Sequence, residues 1–268
     1  QNDDKIAWYE NDGAGNFGIQ NYISLTADGA ISVYAADLNG DGYNDILSAS
    51  VIDDKIAWYK NNGNGIFIEQ TTISDIANGA SDVYATDLDN DGDKDVLSAS
   101  YYDDKVAWYE NNGNGNFGAQ QIITTAAIGA KAVYATDLDN DGDKDVLSAL
   151  KFMNEIACYK NDGNGNFGAQ QILTMNTDDA YSVYATDLDN DGDNDVLSAS
   201  IDDDKIAWYK NNGFGNFGTQ QIITTNANGA HAVFATDLDG DGDNDVLSAS
   251  QYDDKIAWYE NALITDIN

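Results

Sequence analysis

The sequence repeats every fifty residues without drift. "VYATDLDNDGDKDVLSA" at 83–99 returns unchanged at 133–149, with close variants at 33–49, 183–199 and 233–249. "KIAWY" stands at 5, 55, 205 and 255, with "KVAWY" at 105 and "EIACY" at 155. The chain holds five full periods plus 18 residues, so "DDKIAWYE" appears near both ends, at 3–10 and 253–260. A period this long and this regular confines the chain to repeat architectures. In these, one unit cannot bury its apolar face alone and neighbouring units cover it.

Within a period the residue types read as four short strands. In the copy starting at 80 they are 83–88, 95–100, 105–110 and 117–124. Each is rich in β-branched or aromatic residues and bounded by Asp, Asn and Gly. No segment carries a helical period. Apolar residues occupy both faces of a strand, with Ile56 and Trp58 on one and Ala57 and Tyr59 on the other. Such a strand needs cover on both sides. Proline is absent, so every strand can donate its full ladder. The expected fold is all-β: a single β-propeller domain over 1–268, of about five four-stranded antiparallel blades. The repeat units run 30–79, 80–129, 130–179, 180–229 and 230–268. Residues 1–29 either complete the last blade or dock on a neighbour.

Charge narrows the function. Forty-seven acids stand against twelve bases, a net charge of −35, and all twelve bases are lysine. Nucleic-acid binding needs cationic neutralisation of phosphate, and arginine is its usual base reader; neither is on offer. No apolar run approaches the ~18 residues of a membrane span, so membrane insertion is not expected. The single cysteine, Cys158, rules out an internal disulfide framework. The natural partners of such a chain are cations.

The loop "DLDNDGDKD" at 87–95 gives that preference a site. It offers oxygen at positions 1, 3, 5 and 9, with glycine at 6 for a sharp bend. Hard cations such as Ca²⁺ take about 6–8 oxygen ligands. The candidate ligands recur in five copies: Asp37, Asn39, Asp41 and Asp45; Asp87, Asp89, Asp91 and Asp95; Asp137, Asp139, Asp141 and Asp145; Asp187, Asp189, Asp191 and Asp195; Asp237, Asp239, Asp241 and Asp245. An EF-hand closes with an acid at position 12; here position 12 is Ser98 and the flanks are strands. Converging carboxylates repel one another, so cation binding is expected to couple to folding, with about five Ca²⁺ per chain.

With "FGAQQIIT" preceding "VYATDLDNDGDKDVLSAS", the repeat resembles the FG-GAP/VCBS repeat, the blade of integrin-α-type propellers. The family's D-x-D-x-D-G-x-x-D calcium loop is matched in four copies, and in the first with Asn39 at its second acid. The resemblance covers essentially the whole chain, although the proline of "GAP" is missing. It implies a calcium-binding propeller and leaves function open, because the family spans adhesion proteins, lectins and appendages of enzymes.

Three features resemble catalytic or cofactor motifs and are not read so. "GNGNFG" at 113–118 fits a dinucleotide fingerprint but precedes a strand instead of opening a helix. Cys158 replaces the tryptophan of 8, 58, 108, 208 and 258 and reads as a buried small hydrophobe. His231 is the only histidine, without a triad around it. The paired acids of "DDK" read as a turn signature. No enzyme is expected.

The copies differ mainly before strands one and three. Those connections carry Tyr101, Tyr102, Phe152, Tyr181, His231 and Tyr252, an aromatic set suited to sugars or protein partners. In an up-and-down blade alternate connections share a side, so the variable ones are expected opposite the acidic loops. Three outcomes remain for the ends: closure by 17–25 within one chain, head-to-tail docking on another copy, or cleavage from a longer array. The expected function is a secreted or surface, calcium-stabilised, non-catalytic propeller for adhesion or extracellular assembly. A lectin-like glycan binder is the alternative, and a polysaccharide-active enzyme or its appendage a more distant one.

Overall fold

A computed structural model describes residues 4–261. Two compact units emerge, one of residues up to 125 except Leu88–Asn90, the other of Leu88–Asn90 and the chain from 126 onward.

The first unit starts with a two-stranded sheet, β1 (Ile6–Asn11) and β2 (Phe17–Ser24). A four-stranded antiparallel sheet follows: β3 (Ala30–Ala36), β4 (Asp45–Ser50), β5 (Lys55–Asn61) and β6 (Phe67–Glu69). The next comprises β7 (Ala80–Thr86), β8 (Asp95–Ser100), β9 (Lys105–Tyr109) and β10 (Gln121–Thr124). The second unit repeats this order in β11 (Ala130–Thr136), β12 (Asp145–Leu150), β13 (Glu155–Tyr159) and β14 (Gln171–Thr174). Another blade is β15 (Ala180–Thr186), β16 (Asp195–Ser200), β17 (Lys205–Tyr209) and β18 (Gln221–Thr224). Three strands close the series: β19 (Ala230–Thr236), β20 (Asp245–Ser250) and β21 (Lys255–Tyr259). These are up-and-down propeller blades on the fifty-residue period. The one helical element among the described residues is a 3₁₀ turn, Lys151–Met153. No helix there is long and apolar enough to cross a membrane.

The two-faced strand pattern is satisfied by neighbours within each unit. Leu47, Ala49, Ile56 and Trp58 of one sheet share a cluster with Val83, Ala85, Val96 and Tyr109 of the next. Leu147, Ile156 and Cys158 meet Val183, Val196 and Tyr209 in the same way. Leu197 and Ile206 meet Val233 and Val246. Strands such as β8 and β12 are buried at all six residues, so side chains on both faces leave water. At about 25 cal/mol per Å² of apolar surface, this sheet-on-sheet burial is the main term holding the blades together.

The expected boundaries shift in two places. Strand one begins earlier, at Ala80 in place of 83, and ends at Thr86, because Asp87 turns into the acidic loop. Strand four does not run unbroken from 117. Phe117 bridges Asn111, Gly118 donates its N–H to Glu110 at 2.8 Å, and regular pairing resumes at Gln121. The hairpin at 113–118 is a turn, with Gly113 and Gly115 at φ 75° and 72°, so the fingerprint reading stays excluded. Residues 17–24 pair with β1, and β21 carries no fourth strand among the described residues. Residues 1–3 and 262–268 of the expected terminal units lie outside the described residues.

The "DDK" turn has a structural task. Its second residue adopts the left-handed region, φ 57° at Asp54 and 55° at Asp204. Asp and Asn tolerate that region better than other side chains. From there Asp54 accepts the N–H of Gly79 at 2.7 Å and Asp204 that of Gly229 at 2.8 Å, one blade further on. Where the turn reads "MNE", Asn154 keeps both the left-handed conformation and the bond, to Asp179 N at 3.0 Å.

Candidate metal centre

Each acidic loop joins the first and second strand of a blade. Its ninth residue opens the second strand and is fully buried: Asp95 and Asp195 are 0% exposed, Asp145 1%. Two backbone donors hold that carboxylate. Asp145 accepts from Asn161 N at 2.9 Å and from Leu138 N at 3.1 Å; Asp195 accepts from Asn211 N at 2.7 Å and Leu188 N at 3.2 Å. The loop is thereby cinched against the end of the third strand.

The first, third and ninth positions converge. Asp137, Asp139 and Asp145 each place a carboxylate oxygen within 4.8 Å of the others, as do Asp187, Asp189 and Asp195. Asp87, Asp89 and Asp95 do the same within their own loop. In the last loop the group is Asp237, Asp239 and Asp241. The first loop has Asn39 at the third position, and its amide donates to Asp45 Oδ2 at 2.9 Å. The position-five acids of the middle loops neighbour the triads without being among their three converging residues, and they close the bend. Asp91, Asp141 and Asp191 accept the N–H of residue seven at 2.9, 2.9 and 3.0 Å. Glycine at position six donates back to the first acid, as Gly142 N does to Asp137 Oδ2 at 2.9 Å.

The triads fit a cation. Asp87 Oδ1, Asp139 Oδ1 and Asp189 Oδ1 are buried oxygens without a hydrogen-bond partner. An orphaned carboxylate oxygen is costly unless a proton or metal satisfies it. The electrostatics agree: burial, opposed by the two backbone N–H donors and reinforced by the neighbouring acids, pushes the Asp145 and Asp195 carboxyls up to about 6. All-oxygen ligands suit a hard divalent ion such as Ca²⁺.

The loops are linked to one another. In the second unit Asn90 Nδ2 donates to Asp143 Oδ1, and Asn140 Nδ2 to Asp193 Oδ1, both at 2.6 Å. The asparagine that ends the third strand also reaches back one loop. Asn161 Nδ2 donates to Leu88 O and Asn211 Nδ2 to Leu138 O, both at 2.7 Å. The sequence reading treated this asparagine only as part of a turn, although its presence at 11, 61, 111, 161, 211 and 261 was the available signal.

The variable aromatics divide into two groups. Tyr102, Phe152 and Tyr252 lie over the glycines that start the next strand pair: a Cβ on Gly79, Gly129 or Gly229 would meet those rings at 2.5, 2.8 and 2.6 Å. They are also 63%, 61% and 62% exposed. Tyr101 packs edge-on against Tyr102 at 5.1 Å. Tyr181 and His231 stack at 4.1 Å, with Lys131 Nζ 4.5 Å from the Tyr181 ring. Burial first, then the charges of Lys131 and Lys151, draws the His231 imidazole below its ordinary value. Cys158 is buried, and burial pushes its thiol up to about 11; such a thiol is a poor nucleophile.

A family model described as an FG-GAP-like repeat matches residues 1–48, 37–98, 87–148, 137–198 and 187–248. No curated protein matches the chain. Among solved structures, one similar fold is an Agrocybe aegerita lectin that recognises non-reducing terminal N-acetylglucosamine. It has a TM-score of 0.66 at 20% identity, over 92% of this chain and 69% of that one. Another is a functionally unknown protein from Desulfotomaculum acetoxidans, with a TM-score of 0.64 at 11% identity, over 97% and 77%. At these identities the likeness concerns the fold.

Proposed function

Because the chain belongs to the FG-GAP-like repeat family, we propose that it is a secreted or surface-displayed propeller that binds calcium for stability and serves adhesion or extracellular assembly without catalysis. The observation carrying this reading is the recurring aspartate triad with an orphaned oxygen in the loops at 87–95, 137–145 and 187–195. Extracellular Ca²⁺ is millimolar, within the range of extracellular calcium modules. The residues that would hold the ion are the first, third and ninth in the loops at 87–95, 137–145 and 187–195, and the first, third and fifth in the loop at 237–245.

Glycan recognition is the second reading. It is favoured by the lectin among the similar folds and by the Tyr181–His231 stack flanked by Lys131. Aromatic faces are common sugar platforms when a few polar groups converge beside them. Self-association is the third arm, since Ile256 and Trp258 on β21 are 82% and 48% exposed.

The test applies the chain in millimolar Ca²⁺ to immobilised glycans, those ending in N-acetylglucosamine included, with light scattering in parallel. Retention without turnover of the sugar supports the lectin reading. Large calcium-dependent particles that ignore sugars support assembly. Release of sugar fragments would overturn the non-catalytic assignment.

A further inference from the structure

The residue following the third-strand "AWY" or "ACY" varies in charge between copies: Lys60, Lys160 and Lys210, against Glu110 and Glu260. The pairing Val146↔Tyr159 and Val196↔Tyr209 sets residues 160 and 210 beside the ninth acid of their loops. The lysines use that position. Lys160 Nζ donates to Asp139 Oδ2 at 2.7 Å and to Phe214 O at 3.1 Å. Lys210 Nζ donates to Asp189 Oδ2 and lies 3.0 Å from Asp191. Lys60 Nζ lies 3.2 Å from Asp41. In the loops at 137–145 and 187–195 a tethered ammonium therefore already rests on a triad acid, and in the first loop one pairs with the position-five acid, Asp41. The loops at 87–95 and 237–245 have a carboxylate at that place in the sequence.

We propose that the five loops form two classes of cation site. Those at 87–95 and 237–245 bind a divalent cation tightly; those at 37–45, 137–145 and 187–195 bind it on the order of tenfold or more weakly, because ligand charge sets affinity in all-oxygen sites. The inference rests on the calcium reading. An ion entering at 137–145 must either share Asp139 with an ammonium that repels it or displace that ammonium and forfeit its attraction to the carboxylate. Displacement remains feasible: Lys160 and Lys210 have partly exposed side chains, 34% and 46%, and Asp139 Oδ1 and Asp189 Oδ1 stay open for a metal. The first loop is weakened further, as Asn39 supplies a neutral oxygen where the other copies have Asp.

Titration calorimetry and native mass spectrometry with Ca²⁺ on the whole chain test this. Two ions should bind tightly and three more at roughly tenfold or higher concentration. Lys160→Glu together with Lys210→Glu should raise the tight count from two to four, and Glu110→Lys should lower it to one. Lys160→Met with Lys210→Met separates loss of the ammonium from gain of a carboxylate and should give intermediate affinity. Melting in saturating Ca²⁺ verifies folding of each variant. Five equivalent ions in the parent chain, or lysine variants that leave the tight count at two, would overturn the two classes while leaving the calcium reading intact. Binding of no ion would overturn the calcium reading itself.

Discussion

The side-chain amide of Asn211 donates to the carbonyl oxygen of Leu138 at 2.7 Å, across 73 residues of sequence. The same amide donates to Asn194 O at 2.9 Å, and the backbone N–H of Asn211 to Asp195 Oδ1 at 2.7 Å. One residue thus ties the turn of its own blade, its own acidic loop and the loop of the preceding blade. Asn211→Ala removes both amide bonds and leaves one buried and one part-buried carbonyl without that partner. Each such loss costs about 1–3 kcal/mol, and each kcal/mol about 2–4 °C for a chain near this size. A fall in melting temperature on the order of 10 °C is expected; a fall under about 2 °C would show that the bond is replaceable.

Removing calcium should destabilise every loop at once. Ligand binding to the folded state stabilises by about 2.7 kcal/mol per site at a hundredfold excess over Kd. Excess EGTA is therefore expected to lower the melting temperature by more than about 10 °C, followed by circular dichroism. An unchanged melt would remove the metal assignment. Asp91→Ala alone should do less, since the other four loops remain.

Acidity should act on the metal-free chain in the direction opposite to usual acid denaturation. Asp145 and Asp195 titrate near 6 when folded, against an ordinary 3.8. The folded state holds these protons more firmly than the unfolded state. Stability from this source is complete below about 4 and is lost as pH rises through 6. With EGTA present, the melting temperature should fall between pH 4 and 6.5, by a few degrees. Millimolar Ca²⁺ should abolish or reverse that slope, since metal competes with the proton for the same oxygens. Parallel pH profiles with and without Ca²⁺ would count against shared ligands.

Gly79 starts the second blade at φ 70°, and an added Cβ would sit 2.5 Å from Tyr102 Cδ2. Gly79→Ala combines a left-handed penalty of about 1–2 kcal/mol with displacement of the ring. Tyr102→Ala should recover the clash and leave the backbone penalty. A double-mutant cycle measures the coupling; additive losses would show that the ring moves freely.

Cys158 sits where the other three complete blades have Trp58, Trp108 and Trp208 and the two terminal sheets have Trp8 and Trp258. A cleft of about 220 Å³ beside it is lined by Leu173, Gly215 and Phe217. In the first unit Trp58 lies where a Cβ on Gly115 would approach within 2.5 Å and at 6.1 Å from Phe117, with a cleft of about 320 Å³ still open beside it. Cys158→Trp should raise the melting temperature by a few degrees through added apolar burial. A lower melting temperature would mean that Lys160, whose Cε a Cβ on Gly215 would meet at 3.1 Å, has fixed a different packing.

The parts of the molecule legible in the sequence are those governed by local chemistry. The short run bounded by the acidic loop and the DDK turn located β8 (Asp95–Ser100) to the residue, and the spacing of acids located the loops. What escaped notice depends on neighbours one blade away. The carboxylate of Asp54 bonds the next blade's turn, Asn161 bonds the preceding loop, and Tyr102 roofs Gly79. No periodicity within fifty residues reveals such partners. Comparison between copies does leave a trace: where Gly29, Gly79, Gly129 and Gly229 become Asp179, the covering Ile52, Tyr102, Phe152 or Tyr252 becomes Asp202. Lys160 was seen as one of twelve lysines until the hairpin register set it on Asp139.

The Asn-to-loop bond also bears on how such a chain changes length. It spans 73 residues, the turn-to-turn bond from Asp54 to Gly79 spans 25, and the loop-to-loop bond from Asn140 to Asp193 spans 53. None of these reaches beyond the adjacent copy of a fifty-residue period. Insertion or loss of one whole period between two blades therefore re-forms each kind of bond with an equivalent partner, whereas a gain or loss of even one residue inside an acidic loop misaligns the two kinds of bond that end there. Copy number is free to drift, and spacing within a copy is not.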